Sequence, residues 1–189
     1  LTTLGSRETV AKLILRGKAT VSHSAELLSI LKDILLSVNF VNRERLKQIV
    51  LEEKAGLESA LVPNGHAFVN QRLRAQFNES GWAQDQMSGI GYLFALRELA
   101  ADIDKRWKSV LKRLEAIRAS LVNRNNLICN VTLDGKSWEI FKPQLEAFLT
   151  SLPADKVKLS SFDIQPAQKK EGLTIPAQVN YVGKGANLY

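Results

Sequence analysis

Ile103, Trp107, Val110, Leu114, Ile117 and Leu121 step along the chain by 4, 3, 4, 3 and 4 residues. That spacing stacks six large apolar side chains on one stripe of an α-helix and on no single face of a strand. This stretch is therefore committed to a helix with one side buried. The same rhythm recurs in Leu27, Leu28, Leu31, Ile34, Leu35 and Val38, with Ser22 or Ser24 placed to cap and Glu26 suited to the first turn. Asn42 caps a further helix reaching about Leu61, which buries Leu46, Ile49, Val50, Leu57 and Leu61 and is closed by Pro63-Asn64-Gly65. Phe68, Val69, Leu73 and Phe77 predict a helix over 66–77, and a short one follows over 91–100. Trp138, Phe141, Leu145, Phe148 and Leu149 mark another, ended by Leu152-Pro153, in which Pro143 either kinks the helix or sits in its first turn. Residues 78–91 carry Asn78, Ser80, Gly81, Ser88, Gly89 and Gly91, which predicts a loop or broken helix that docks Trp82.

Three segments read as strands. Residues 10–17 are short, apolar and followed at the end by Gly17. Leu127, Cys129, Val131 and Leu133 alternate with Ile128, Asn130 and Thr132, which makes Cys129 a core residue. Residues 173–182 form the third, placed at an edge or at a strand start by Pro176. The expected class is α+β: helix-rich, with helices packed on a mostly antiparallel sheet. Residues 154–172, polar and containing Pro166, read as a linker.

Charge narrows the functional classes. The chain has 26 Lys and Arg against 19 Asp and Glu, a net +7. A basic balance suits nucleic acid, an anionic surface or an acidic partner. Here Lys105, Arg106, Lys108, Lys112 and Arg113 are interleaved with Asp102, Asp104 and Glu115, the pattern of a solvated helix face. A freestanding basic module binding nucleic acid or an acidic partner is the alternative reading. The single cysteine excludes an intrachain disulfide and a cysteine-based zinc site. There is no apolar run of membrane-spanning length and no signal peptide, so no membrane partner and no secretion are expected. Leu1 and Tyr189 read as cut ends of a longer polypeptide.

The chemistry-bearing residues are sparse. His23 and His66 belong to no zinc-ligand pattern and read as a helix-start and a turn residue. Glu52-Glu53 point about 100° apart on a helix and read as solvated. Asp102 and Asp104 fit the N-terminus of the helix that follows. There is no nucleophile elbow. Ser88-Gly89-Ile90-Gly91 and Val182-Gly183-Lys184-Gly185 are glycine-rich but lack the context and the Gly-Lys-Ser/Thr ending of a phosphate loop. Trp82, Trp107 and Trp138 read as packing residues. By itself this is a helix-rich domain without a self-contained active site.

Several short motifs, in order, resemble one family. They are Arg16-Gly17-Lys18-Ala19, Val50-Leu51-Glu52-Glu53-Lys54-Ala55-Gly56-Leu57-Glu58 and Pro63-Asn64-Gly65-His66. Gly81-Trp82 follows, leading to Gln86-Met87-Ser88-Gly89 and Tyr92-Leu93, then Asn123-Arg124-Asn125, Asn130-Val131-Thr132 and the segment from Pro176 to Lys184. Together they resemble part of the C-terminal half of the presequence protease-like zinc metallopeptidases of the pitrilysin/insulinase type, including that family's associated domain. The resemblance implies a two-halved peptidase that closes around a chamber and degrades short unfolded peptides such as cleaved targeting presequences. It implies zinc bound outside this fragment, a partner in the N-terminal catalytic half of the same polypeptide, and no catalytic or metal-binding residue here. It further implies that residues 1–153 are most of a third α+β domain, 154–172 a linker and 173–189 the first strand of a fourth. The compartment implied is a mitochondrial matrix, a chloroplast stroma or a bacterial cytoplasm. Val179, Asn180, Tyr181 and Val182 are the candidate substrate-facing strand, able to pair with a peptide backbone along its edge.

Overall fold

The computed structural model describes residues 12–156 and 170–186. Its regular elements are α1 (Ser24–Lys32), α2 (Arg43–Ala60), α3 (Gly65–Arg74), α4 (Glu79–Ser88), α5 (Ile90–Lys105), α6 (Trp107–Leu121) and α7 (Gly135–Thr150). A 3₁₀ turn at Val21–His23 leads into α1, a π turn at Asp33–Ser37 follows it, and a 3₁₀ turn at Arg124–Asn126 follows α6. The chain divides into two compact units. The first holds Asn42–Val110 with residues 170–186; the second holds residues 12–41 with 111–156.

In the first unit α5 is the central helix: α2 and α4 both pack on it, and α3 packs on α4. Ile103 is fully buried, and Val50, Ala75, Ile90, Leu93, Leu96 and Val110 of this unit are buried too. Asn42 caps α2 by accepting from the Arg45 amide at 3.0 Å. Asn78 caps α4 by accepting from the Gly81 amide at 2.7 Å, satisfying donors the helix cannot. The second unit is smaller. Here α1 packs on α7, and Leu28, Phe141 and Leu145 form a core flanked by Leu31, Val131, Phe148 and Leu149. Ser24 Oγ is 2.7 Å from Gln144 Oε1, a buried polar link between the two helices.

The expected α+β class is overturned: among the described residues there is no strand and no sheet, and the fold is all-α. Residues 12–17, 127–133 and 173–182 lie in irregular chain; residues 10 and 11 fall outside the described part. The alternating pattern was real but incomplete evidence. Val131 joins the apolar cluster and Ile128 is 77% exposed, but Cys129 and Leu133, on the expected inner side, are exposed as well. A strand also needs a partner for its backbone N–H and C=O groups, and these segments do not pair with one another among the described residues. Cys129, expected inside, is exposed.

Helix boundaries carry three more corrections. Of the loop or broken helix expected over 78–91, the structure shows a regular helix over 79–88 with one break, at the extended Gly89. The glycine that suggested looseness serves close packing: a Cβ on Gly81 would collide with the Arg74 carbonyl at the end of α3. The long apolar stripe from Ile103 is split, since Arg106 leaves helical geometry (φ −136°, ψ 37°) between α5 and α6. Its amide closes α5 on Asp102 O at 2.7 Å, and its carbonyl starts α6 by accepting from Ser109 at 2.9 Å. Pro143 sits well inside α7 rather than in its first turn. The bond it cannot donate would end on the carbonyl of exposed Glu139, which water can satisfy. Most of the expected linker, 157–169, lies outside the described residues.

Candidate functional site

The C-terminal segment of the first unit returns along α3. The Tyr181 hydroxyl donates to the Val62 carbonyl just before α3. Its ring covers Gly65, where any Cβ would collide with it, and lies 6.4 Å from the His66 ring. Two residues on, a Cβ on Gly183 would collide with Val69 Cγ1 and lie 2.7 Å from Leu73 Cδ1. Two further, one on Gly185 would come within 3.1 Å of the Phe77 ring. Tyr181, Gly183 and Gly185 therefore share the face that meets α3; a side chain at Gly183 would force Val69 and Leu73 to shift, and one at Gly185 would press more lightly on Phe77. Val182, between them, is 94% exposed.

Between this segment and α3 lies a groove of about 530 Å³ lined by His66, Val69, Asn70 and Leu73 on one side and by residues 180–184 on the other. Three of the four expected substrate-facing residues, Asn180, Tyr181 and Val182, line it; Val179 lies just outside and is exposed. No backbone–backbone hydrogen bond joins residues 179–184 to other described residues.

The segment is anchored at its other end by charge. Arg72, in the last turn of α3, donates from Nε to Glu171 Oε2 at 2.7 Å and from Nη2 to Oε1 at 2.9 Å. Its Nη1 donates to Asp85 Oδ2 at 2.6 Å. Asp85 is fully buried and also accepts from the amides of Ile90 and Gly91 at 3.2 Å each. The Arg72 hydrogen bonds hold the Glu171 carboxyl below the usual carboxylate range, against the opposing effect of burial. The two carboxylates push the Arg72 guanidinium upward, the bond to Glu171 most of all.

Asp85 was not singled out by sequence reasoning, yet it explains the Ser88-Gly89-Ile90-Gly91 stretch. The anion at this helix N-terminus is the chain's own carboxylate, held by two amides and favoured by the helix dipole. A Cβ on Gly89 would strike Asp85 Oδ1, and one on Gly91 would lie 2.8 Å from Oδ2. An Asp four residues before Gly-x-Gly at a helix start was the available signal.

Other candidates fall elsewhere. Asp102 and Asp104 lie in the last turn of α5, not at the start of the next helix. Carboxylates are unfavourable at a helix C-terminus, and both are met by cations. Arg106 Nε donates to Asp102 at 3.0 Å. Lys47 and Arg43 of α2 donate to Asp104 at 2.7 and 3.2 Å. The Lys47 bond, then the charges of Lys47 and Arg43, lower the Asp104 carboxyl below its usual range despite some opposing desolvation. Glu52 and Glu53 are exposed on α2.

The donor set does not fit a zinc centre. His23 Nδ1 is engaged by Thr20 Oγ1 at 2.8 Å and Ser22 Oγ at 3.1 Å, and His66 faces Tyr181. Among the described residues no three His, Cys, Asp or Glu side chains converge. No helix among them is long and apolar enough to cross a membrane.

Comparison with known proteins gives these observations a family. Residues 2–99 match the family described as Peptidase M-16C associated, and the chain belongs to it. It is 36% identical over 98% of its length to presequence protease 1, chloroplastic/mitochondrial, of Arabidopsis thaliana. It is 25% identical over 88% of its length to the mitochondrial presequence protease of Yarrowia lipolytica. It is 22% identical over 90% of its length to protein HypA of Clostridium perfringens. The chain spans 17% of the length of each of these relatives.

Proposed function

We propose that this member of the peptidase-associated family is a noncatalytic part of the C-terminal half of a zinc metallopeptidase that degrades short unfolded peptides, targeting presequences among them. The observation that carries this reading is the match to an organellar presequence protease along nearly the whole chain. The metal and the catalytic groups belong, on this reading, to the N-terminal half of the same polypeptide. Residues 1–153 form most of one domain of the C-terminal half and 173–189 begin the next. A chloroplast or mitochondrial interior is the setting that the relatives' names support, with a bacterial cytoplasm as the alternative.

The local contribution is to close the chamber and to present residues 179–182 to an extended substrate. Support comes from the exposed outer side of this segment and from a backbone that makes no ladder hydrogen bonds. Main-chain pairing tolerates many side-chain sequences, as a degrader of varied peptides needs. The alternative of a basic module gains nothing from the geometry. Arg43, Lys47, Arg72, Arg97 and Arg106 are each paired with carboxylates of this chain.

The test uses the full-length polypeptide. It should contain zinc and cleave an unstructured peptide in a chelator-sensitive manner. Val182→Pro, which removes one backbone donor, should raise KM with little change in kcat. A full-length protein without zinc or peptide cleavage overturns the reading. An unchanged KM removes the substrate-facing role alone.

A further inference from the structure

We infer that Arg72 is the positioning residue of the groove: a latch whose two carboxylate partners do different work, Asp85 aiming the guanidinium and Glu171 tying down the span 172–180 that leads into the wall. Asp85 is fully buried and bonded to the amides of Ile90 and Gly91 as well as to Arg72. It cannot leave without stranding three donors. The Glu171 side chain is 20% exposed, and its oxygens are met by Nε and Nη2 of Arg72. The paired geometry is the fork-to-fork form that fixes direction as well as distance. With Nη1 committed to Asp85, the guanidinium plane is set by the α4–α5 corner, and the Nε/Nη2 edge is presented to Glu171 already oriented.

The span that leads into the wall then has two fixed points. Glu171 is held at the C-terminal end of α3, and Tyr181 is held at its N-terminal end by Val62 and Gly65. Residues 180–184 follow directly on the second point and line the groove. With both points fixed, the segment crosses α3 as a closed span. With Glu171 released, residues 172–180 are tethered at Tyr181 alone and free to swing, while Gly183 and Gly185 stay seated against Val69, Leu73 and Phe77. Glu171 can be removed without leaving Arg72 unpaired, because Asp85 remains. The latch is thus separable from the fold. It concerns where the wall sits, whatever binds there, and goes beyond the proposed peptidase role; its test reads position and not cleavage.

In the full-length polypeptide with Cys129→Ser and any other exposed cysteine replaced, a nitroxide at the exposed Val179→Cys, inside the span, reports its motion directly. The wild-type background should give a restricted spectrum. Glu171→Gln should convert it to a mobile one with helical content unchanged, and Glu171→Asp, which keeps the charge, should retain most of the restricted component. A Glu171→Gln spectrum that superimposes on wild type overturns the latch. So does a Glu171→Asp variant as mobile as Glu171→Gln. Should Glu171→Gln lose helix, acidification of the labelled wild type removes the same charge. The charged groups facing Glu171 are Arg72 of α3 and, through it, Asp85 of α4. Mobility must then rise below the usual carboxylate range before the helical signal falls, and mobility that stays flat up to the loss of helix overturns the proposal.

Discussion

The two units hold their helices by different means. The first brings three helices and a returning segment to a partly buried charged junction, Asp85–Arg72–Glu171, and has the fully buried Ile103 in its interior. The second joins α1 to α7 through Leu28, Phe141 and Leu145 and one hydroxyl–amide contact, Ser24 to Gln144. It leaves more apolar surface in water, including Leu13, Ile14, Ile34, Ile117, Ile128 and Ile140. A charged junction needs donors from several elements at once, so it specifies one arrangement and fails as a whole. An apolar pair of helices tolerates adjustment and fails by degrees.

That contrast breaks most sharply at Asp85. Asp85→Asn should destabilise the first unit by about 3–5 kcal/mol, since one carboxamide oxygen cannot serve Arg72 and the amides of Ile90 and Gly91 together, and each buried donor left unmet costs about 1–3 kcal/mol. Denaturant unfolding checks it, and a loss no larger than that of an ordinary surface substitution would remove the distinction between the units. Next come the apolar cores. Ile103→Ala should cost towards the upper part of about 2–5 kcal/mol and Leu28→Ala towards the lower part, because a small, partly solvated cluster collapses more readily onto a deletion. Equal losses in the same titration would show the second unit to be as tightly packed as the first.

How much of this was legible in the sequence follows the same division. Caps and apolar spacing are local, and they located α2 with its Asn42 cap and α7 with its apolar face. The strand readings failed because alternation describes side chains, whereas a strand exists through a backbone partner that no local pattern contains. The helix at 79–88 was missed because Gly81 was weighed as a breaker when it is a contact with Arg74. At the groove, the segment 179–182 could be named from the sequence, but α3 as its support could not, since Arg72 and Glu171 are far apart in the chain. Asp85 stayed hidden because a lone Asp in a polar stretch carries no signal until the helix start beside it is known.

Smaller effects sharpen the comparison. Gly65→Ala should cost about 1–3 kcal/mol by forcing a methyl against the Tyr181 ring, the usual penalty of overpacking. The loss should largely vanish in Tyr181→Ala, a double-mutant cycle that separates contact with the ring from helix propensity. In the same measurements Asn78→Ala should cost about 1 kcal/mol through loss of the cap on Gly81.

The smallest effect is the acid limb contributed by Glu171. Its folded-state carboxyl is lowered, chiefly by the Arg72 hydrogen bonds, so the pair stabilises the fold above the usual carboxylate range. The contribution is lost as the pH falls through the lowered folded value, because the unfolded chain binds the proton first. Glu171→Gln has no such proton to take up. Its stability curve should lie below wild type at neutral pH and converge with it in acid. Asp104 makes a second acid-sensitive contact through Lys47 and Arg43, and Asp104→Asn is the control. If convergence persists in that background, the limb belongs to Glu171. If wild type and Glu171→Gln run parallel across the whole pH range, the Arg72–Glu171 pair adds no charge-dependent stability, and the first unit's charged junction reduces to Arg72 and Asp85.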